Sequence, residues 1–118
     1  MVKNATPDGI LLVDKPSGMT SHDVVDAVRK RFRIKKVGHC GTLDPNATGL
    51  LILVLGKATK LSEKLMGEDK VYTGIIELGR ETNSYDIDGE TVAEKDIPDL
   101  STERINEFTQ AFKGDQMQ

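Results

Sequence analysis

Gly38-His39-Cys40-Gly41-Thr42-Leu43-Asp44-Pro45-Asn46-Ala47-Thr48-Gly49-Leu50-Leu51-Ile52-Leu53-Val54-Leu55 decides the fold. Its second half is a continuous apolar run over residues 50–55, broken by Gly56, which suits a strand covered on both faces. Residues 36–39 read as a short polar strand, so the intervening loop, residues 40–49, hangs between two strands. Three glycines in the segment 38–49, Gly38, Gly41 and Gly49, permit tight turns and close approach of a ligand to the backbone. Pro45 restricts Asp44 to extended backbone angles, which places its carboxylate at a stiffened position. A carboxylate so placed can act as a nucleophile, a base or a metal ligand. On spacing alone, a purely structural alternative stands beside this one. Asp-Pro starts many turns, Gly-Thr-x-Asp is ordinary loop chemistry, and a single histidine such as His39 is more often a hydrogen-bonding residue than a catalyst. Cys40 beside His39 invites a thiol-nucleophile reading, but adjacent strand residues face opposite ways, so Cys40 reads as a small filler.

Outward from this stretch the chain alternates strands and helices. Residues 9–14 form a short buried strand stopped by Pro16 and Gly18. Thr20 or Ser21 then caps a helix running to about Phe32, with Val24, Val28 and Phe32 on one stripe and Val25 beside them. A short helix over residues 58–66 places Ala58, Leu61 and Leu65 together. Residues 70–78 read as a strand ended by Gly79, with Val71, Thr73, Ile75 and Glu77 on one face and Tyr72, Gly74, Ile76 and Leu78 on the other. A polar loop over 80–89 contains the turn signal Asp88-Gly89, and a strand follows near 91–94. Ser101 caps a last helix with Leu100 and Ile105 as a hydrophobic staple, an apolar stripe of Ile105, Phe108 and Phe112, and Gly114 as its stop. The order β-α-β-β-α-β-β-α predicts an α/β or α+β layout with no visible domain linker.

A length of 118 residues suits one modest domain with a real core. Hydrophobic content of 37% and charged content of 30% fit a soluble globular protein, and no apolar run reaches membrane-spanning length. Residues 1–8 show no signal-peptide core. Cys40 is the single cysteine, so neither an intramolecular disulfide nor a multi-cysteine metal site is available. These features point to the cytoplasm. Net charge is −3, yet residues 1–60 carry ten Lys/Arg against five Asp/Glu, and residues 61–118 carry six against fourteen. The positive charge concentrates in Arg29, Lys30, Arg31, Arg33, Lys35 and Lys36, which suits a polyanion site. Cations at a helix C-terminus also favour its dipole, so a solvated helix end is the plain alternative.

The segment Gly38-His-x-Gly-Thr-Leu-Asp-Pro-x-Ala-Thr-Gly49 resembles the active-site loop of the TruB family of tRNA pseudouridine synthases, whose archaeal and eukaryotic relatives are the guide-RNA-dependent dyskerin enzymes. Gly9-Ile-Leu-Leu-Val-Asp-Lys-Pro-Ser-Gly-Met-Thr-Ser21 resembles the family's opening strand and Lys-Pro motif. Lys70-Val-Tyr72, Leu78-Gly79 and Asp86-Ile-Asp-Gly89 resemble the segment that follows. The resemblance implies a pseudouridine-synthase-like α/β (α+β) fold, a mixed and largely antiparallel sheet flanked by helices. Residues 1–118 would be the N-terminal portion of its catalytic domain, incomplete at the C-terminus and without a second domain.

It also implies isomerisation of a uridine to pseudouridine in the T-loop of tRNA, with no metal and no cofactor, by a monomer. Asp44 would be the nucleophile, attacking base or ribose, and Tyr72 would pack on the target base. His39 would fill the gap left by the flipped nucleotide, repaying part of a flipping cost of about a few kcal/mol. Thr82 and Asp86 would lie near the RNA, Arg29 to Lys36 would meet phosphates, and Lys15 and Pro16 would shape the turn beneath the site. There are two departures. Cys40 stands where the family commonly has a small or hydroxyl residue. The family's strand with a basic partner for the aspartate, and its C-terminal RNA-binding domain, would lie beyond Gln118. A catalytically incomplete fragment that binds RNA or only folds is therefore the alternative expectation. A remoter one is an aspartyl-phosphate phosphotransferase using Asp14 and Mg²⁺, for which no convincing pair of further strand-end carboxylates is visible.

Overall fold

Alternation of large apolar side chains along one strand organises the first half of the chain. The computed structural model describes residues 6–117, so residues 1–5 of the opening stretch read above lie outside the described residues. The chain divides into two compact units, which join in sequence between Val71 and Tyr72. In the first, β3 (Gly49–Leu55) lies between β1 (Gly9–Lys15) and β2 (Val37–Cys40) in an antiparallel sheet of order β1-β3-β2. Leu51, Leu53 and Leu55 point from one face onto α1 (Ser21–Phe32), where Val24, Val25 and Val28 meet them together with Ile34 and Val37. The register Leu11↔Leu53 and Val13↔Leu51 adds β1 to the same core.

α1 starts with a full capping box. Thr20 Oγ1 accepts the Asp23 N–H at 3.0 Å and the Asp23 carboxylate accepts the Thr20 N–H at 2.9 Å. The bond from the Thr20 backbone N–H, and after it hydrogen bonding of the Thr20 hydroxyl to the carboxylate, hold the Asp23 carboxyl below the ordinary aspartate range. The helix ends at Arg33, which adopts the left-handed conformation at φ 55°. That reversal corrects the expected apolar stripe: Phe32 is left exposed, and Ile34 takes the core position just beyond the turn. Coverage of β3 on both faces is also narrower than expected. Leu50 is exposed and Ile52 half-buried, while Val54 on that face is fully buried. The segment after β3 folds back against the sheet. It is a 3-10 turn, Gly56–Leu61, followed by a short helix α2 (Ser62–Met66), in place of one helix over 58–66.

In the second unit, β4 (Arg80–Thr82) pairs antiparallel with β5 (Thr91–Glu94), so the segment expected as loop begins with a strand. The strand expected over residues 70–78, with its two faces, is absent: the segment forms no strand and every residue in it is exposed. A strand exists through ladder hydrogen bonds to a neighbour, and no described strand runs beside this segment. Its Val71, Ile75 and Ile76 are exposed. α3 (Thr102–Gln110) begins at Ser101, whose Oγ accepts the Arg104 N–H at 3.1 Å, and ends before Gly114. None of the α3 residues is buried. Among the described residues no helix is long and apolar enough to cross a membrane.

Candidate active site

The loop between β2 and β3 is shaped by the two strands that bound it. β2 ends at Cys40, paired with Ile52, and β3 begins at Gly49, paired with Lys15 at the end of β1. This register delivers Lys15 to the loop. Lys15 is completely buried, and its Nζ donates to the carbonyls of Pro16 at 2.9 Å, Met19 at 2.7 Å and Pro45 at 3.1 Å. A buried ammonium is tolerated where its N–H groups meet carbonyl oxygens. The Pro45 carbonyl accepts a second bond from the Gly18 N–H at 2.7 Å. Asp44 opens a turn closed by Ala47 N–H donating to its carbonyl at 2.9 Å. On the other side, Leu43 N–H donates to Ser21 Oγ at 3.0 Å, and that hydroxyl donates to the Leu43 carbonyl at 3.3 Å. Asp44 is therefore an exposed residue whose backbone is anchored on both flanks.

The clamps came from residues that sequence reading left outside the chemistry. From the sequence Lys15 reads only as shaping a turn, and Ser21 only as one of two possible caps. A lysine closing a buried strand just before proline, and a spare hydroxyl beside a filled cap position, were the available signals.

His39 is half-buried on β2, where Nδ1–H donates to the Gly41 carbonyl at 2.7 Å. The ring is thus tied to the loop through one of its glycines. Cys40 points the opposite way and is buried; burial pushes its thiol up, away from the thiolate a nucleophile needs.

The basic cluster separates into two kinds of residue. Arg29 donates to Asp26 at 3.2 Å and to the Val37 carbonyl at 3.1 Å, tying α1 to β2. Lys30, Arg31, Arg33, Lys35 and Lys36 are exposed around the end of α1. Asp14 sits exposed at the end of β1, and among the described residues no three His, Cys, Asp or Glu side chains gather as metal ligands.

Tyr72, Thr82 and Asp86 belong to the second unit. Tyr72 is exposed in the segment without a ladder. Thr82 is buried and donates from Oγ1 to the Asp86 carbonyl at 2.7 Å, while the Asp86 carboxylate accepts from Ser84 Oγ at 2.8 Å and Asp88 N–H at 3.0 Å. Both residues build the turn between β4 and β5.

Comparison with known proteins agrees with the loop. The chain is 50% identical over 111 residues to the tRNA pseudouridine synthase B of Opitutus terrae, covering 94% of this chain and 46% of that protein. It is 46% identical over 108 residues to the tRNA pseudouridine synthase B of Endomicrobium trichonymphae, covering 92% and 47% respectively. The chain thus spans about half the length of the curated relatives it matches. Over 48% of its length it also superposes, at a TM-score of 0.47 and 45% identity, on 18% of a chain in the structure of an H/ACA RNP bound to a substrate RNA containing 2'-deoxyuridine. The profile of the TruB family pseudouridylate synthase N-terminal domain matches residues 29–118, all of the Asp44 loop among them, and the chain belongs to that family.

Proposed function

We propose that this domain isomerises a uridine to pseudouridine in the T-loop of tRNA, with the Asp44 carboxylate as nucleophile. The observation that carries the reading is the anchorage of Asp44: an exposed carboxylate on a loop held at Leu43 by Ser21 and at Pro45 by Lys15 and Gly18. Pseudouridine formation breaks the bond from the ribose C1′ to N1 of uracil and forms one from C1′ to C5. The C5 proton leaves and N1 gains one, so the reaction calls for no oxidant and no external group. An anchored nucleophile fits such chemistry, because catalysis rests on holding reacting atoms in geometry. Tyr72 is assigned to packing on the target base, and His39 to the space the flipped nucleotide vacates. The exposed cations Lys30, Arg31, Arg33, Lys35 and Lys36 meet phosphates, which position RNA rather than read it; Arg29 supports them through Val37, and Thr82 and Asp86 shape a turn near the RNA. The working setting of this reading is a cytoplasmic monomer, checked by fractionation and by light scattering.

The test is tritium release from tRNA carrying tritium at uridine C5, followed with this chain, with a chain extended to the full length of its relatives, and with Asp44→Ala in each. Release that Asp44→Ala abolishes supports the reading. A second reading follows from the half-length match: the 118-residue chain holds RNA, and turnover belongs to the longer protein. Release by the extended chain alone, with salt-sensitive RNA binding by the short one that survives Asp44→Ala, selects it. No release from either length overturns the proposed reaction.

A further inference from the structure

Thr20 and Ser21 stand side by side where α1 begins, and a helix start uses one such hydroxyl as its cap. Thr20 fills that place through its reciprocal bonds with Asp23. Ser21 is 3% exposed and takes no part in the cap. Its hydroxyl reaches Leu43 instead, a residue 22 positions away, and satisfies both of that residue's backbone groups, accepting at 3.0 Å and donating at 3.3 Å.

From this geometry we infer that Ser21 is a positioning residue for Asp44, an inference that rests on the proposed role of Asp44 as nucleophile. Leu43 immediately precedes Asp44. One hydroxyl bonded to both its N–H and its C=O fixes the distance and the rotation of the backbone entering Asp44. The Pro45 carbonyl, held by Lys15 Nζ at 3.1 Å and Gly18 N at 2.7 Å, fixes the backbone leaving it. With both flanks set, the Cα–Cβ direction of Asp44 is set, although the residue itself is exposed. The rigid part of this device is α1, whose Val24, Val25 and Val28 are in the core, so the loop inherits its precision from a helix.

The role is separated from simple stability by comparing two neighbouring variants. Ser21→Ala removes the clamp, and Thr20→Ala weakens the start of the same helix while leaving Leu43 bonded. In the family-length protein, Ser21→Ala is expected to lower kcat by about ten- to a hundredfold, the scale of a misplaced reacting group, with KM for tRNA within about twofold. Thr20→Ala is expected to keep the parent kcat at an equal or larger loss of melting temperature. Ser21→Cys, a near-isostere with a weaker donor and acceptor, is expected to fall between parent and alanine and covers the case in which Ser21→Ala does not fold. In the 118-residue chain, amide hydrogen exchange at Leu43 is expected to accelerate in Ser21→Ala and not in Thr20→Ala. Parent kcat in Ser21→Ala, or an equal kcat loss in Thr20→Ala, overturns the inference while Asp44→Ala remains inactive. Full turnover by Asp44→Ala overturns the nucleophile reading itself, and the positioning role with it.

Discussion

The two units of this chain carry equally clear local signals and differ in what those signals meet. In the first, the apolar face of α1 lies on β3, and Val25, Leu51, Leu53 and Val54 are completely covered. In the second, α3 has a serine cap and a stripe of Ile105 and Phe108, with the expected third member Phe112 just beyond its end, yet all three side chains are exposed. The segment 70–78 repeats the lesson for a strand: it is rich in strand-forming residues, but no described neighbour supplies a ladder. Amphipathic patterning states a demand for a partner. Where the chain supplies one, burial follows; a nine-residue helix without one draws little stability from propensity alone.

The widest gap between the units is expected in matched truncations of their apolar side chains. Leu53→Ala empties the centre of the first unit and is expected to cost about 2–5 kcal/mol in urea unfolding. Phe108→Ala, at a side chain 55% exposed, is expected to stay within about 0.5 kcal/mol. Equal costs would break the contrast. Next in size is Lys15→Met, which keeps the stem, removes the ammonium donor from the Pro16 and Met19 carbonyls and leaves the Pro45 carbonyl with Gly18 N–H; a loss of about 1–3 kcal/mol is expected in the same measurement. A neutral result would mean that those carbonyls find other partners.

Smaller effects sharpen the comparison at the helix starts. Thr20→Ala is expected to cost about 1 kcal/mol of the first unit's stability. Ser101→Ala removes an equivalent bond, and its effect is expected in faster amide exchange within α3, with the exchange of α1 unchanged. The smallest effect is a pH dependence. Because the Asp23 carboxyl lies below its ordinary range when folded, its contribution is fully present above that range and is lost as pH falls through the lowered value. Asp23 is solvent-exposed, so the change is slight and weakens with salt. An acid titration of melting temperature should flatten in Asp23→Asn; identical curves would remove Asp23 from the account.

Much of the fold was legible because its signals are local. β1, α1, β2 and β3 follow from an apolar run, a capped stripe and the glycines between them, and the strand near 91–94 and the capped last helix were visible in the same way. The misreadings have physical causes. Phe32 continued a helical stripe that Arg33 ended by turning left-handed, and the turn placed Ile34 in the core. Residues 56–61 chose 3-10 over α geometry as the chain folded back on the sheet. Residues 80–82 looked like loop because three polar residues become a strand only through the pairing with β5.

The sequence by itself determined which residues this domain offers for chemistry. The Gly-rich loop with Asp44 before proline, its family resemblance and the charge gathered between residues 29 and 36 are all properties of short contiguous segments. Only the tertiary structure decided how Asp44 is held and which cations remain free to meet a ligand. Ser21 reaches Leu43 across 22 residues, Lys15 reaches Pro45 across 30, and Arg29 turns back to Val37. Those contacts depend on the register of β1 against β3 and on the seating of α1 over the sheet. A linear pattern names the groups, but long-range pairing sets the distances between them.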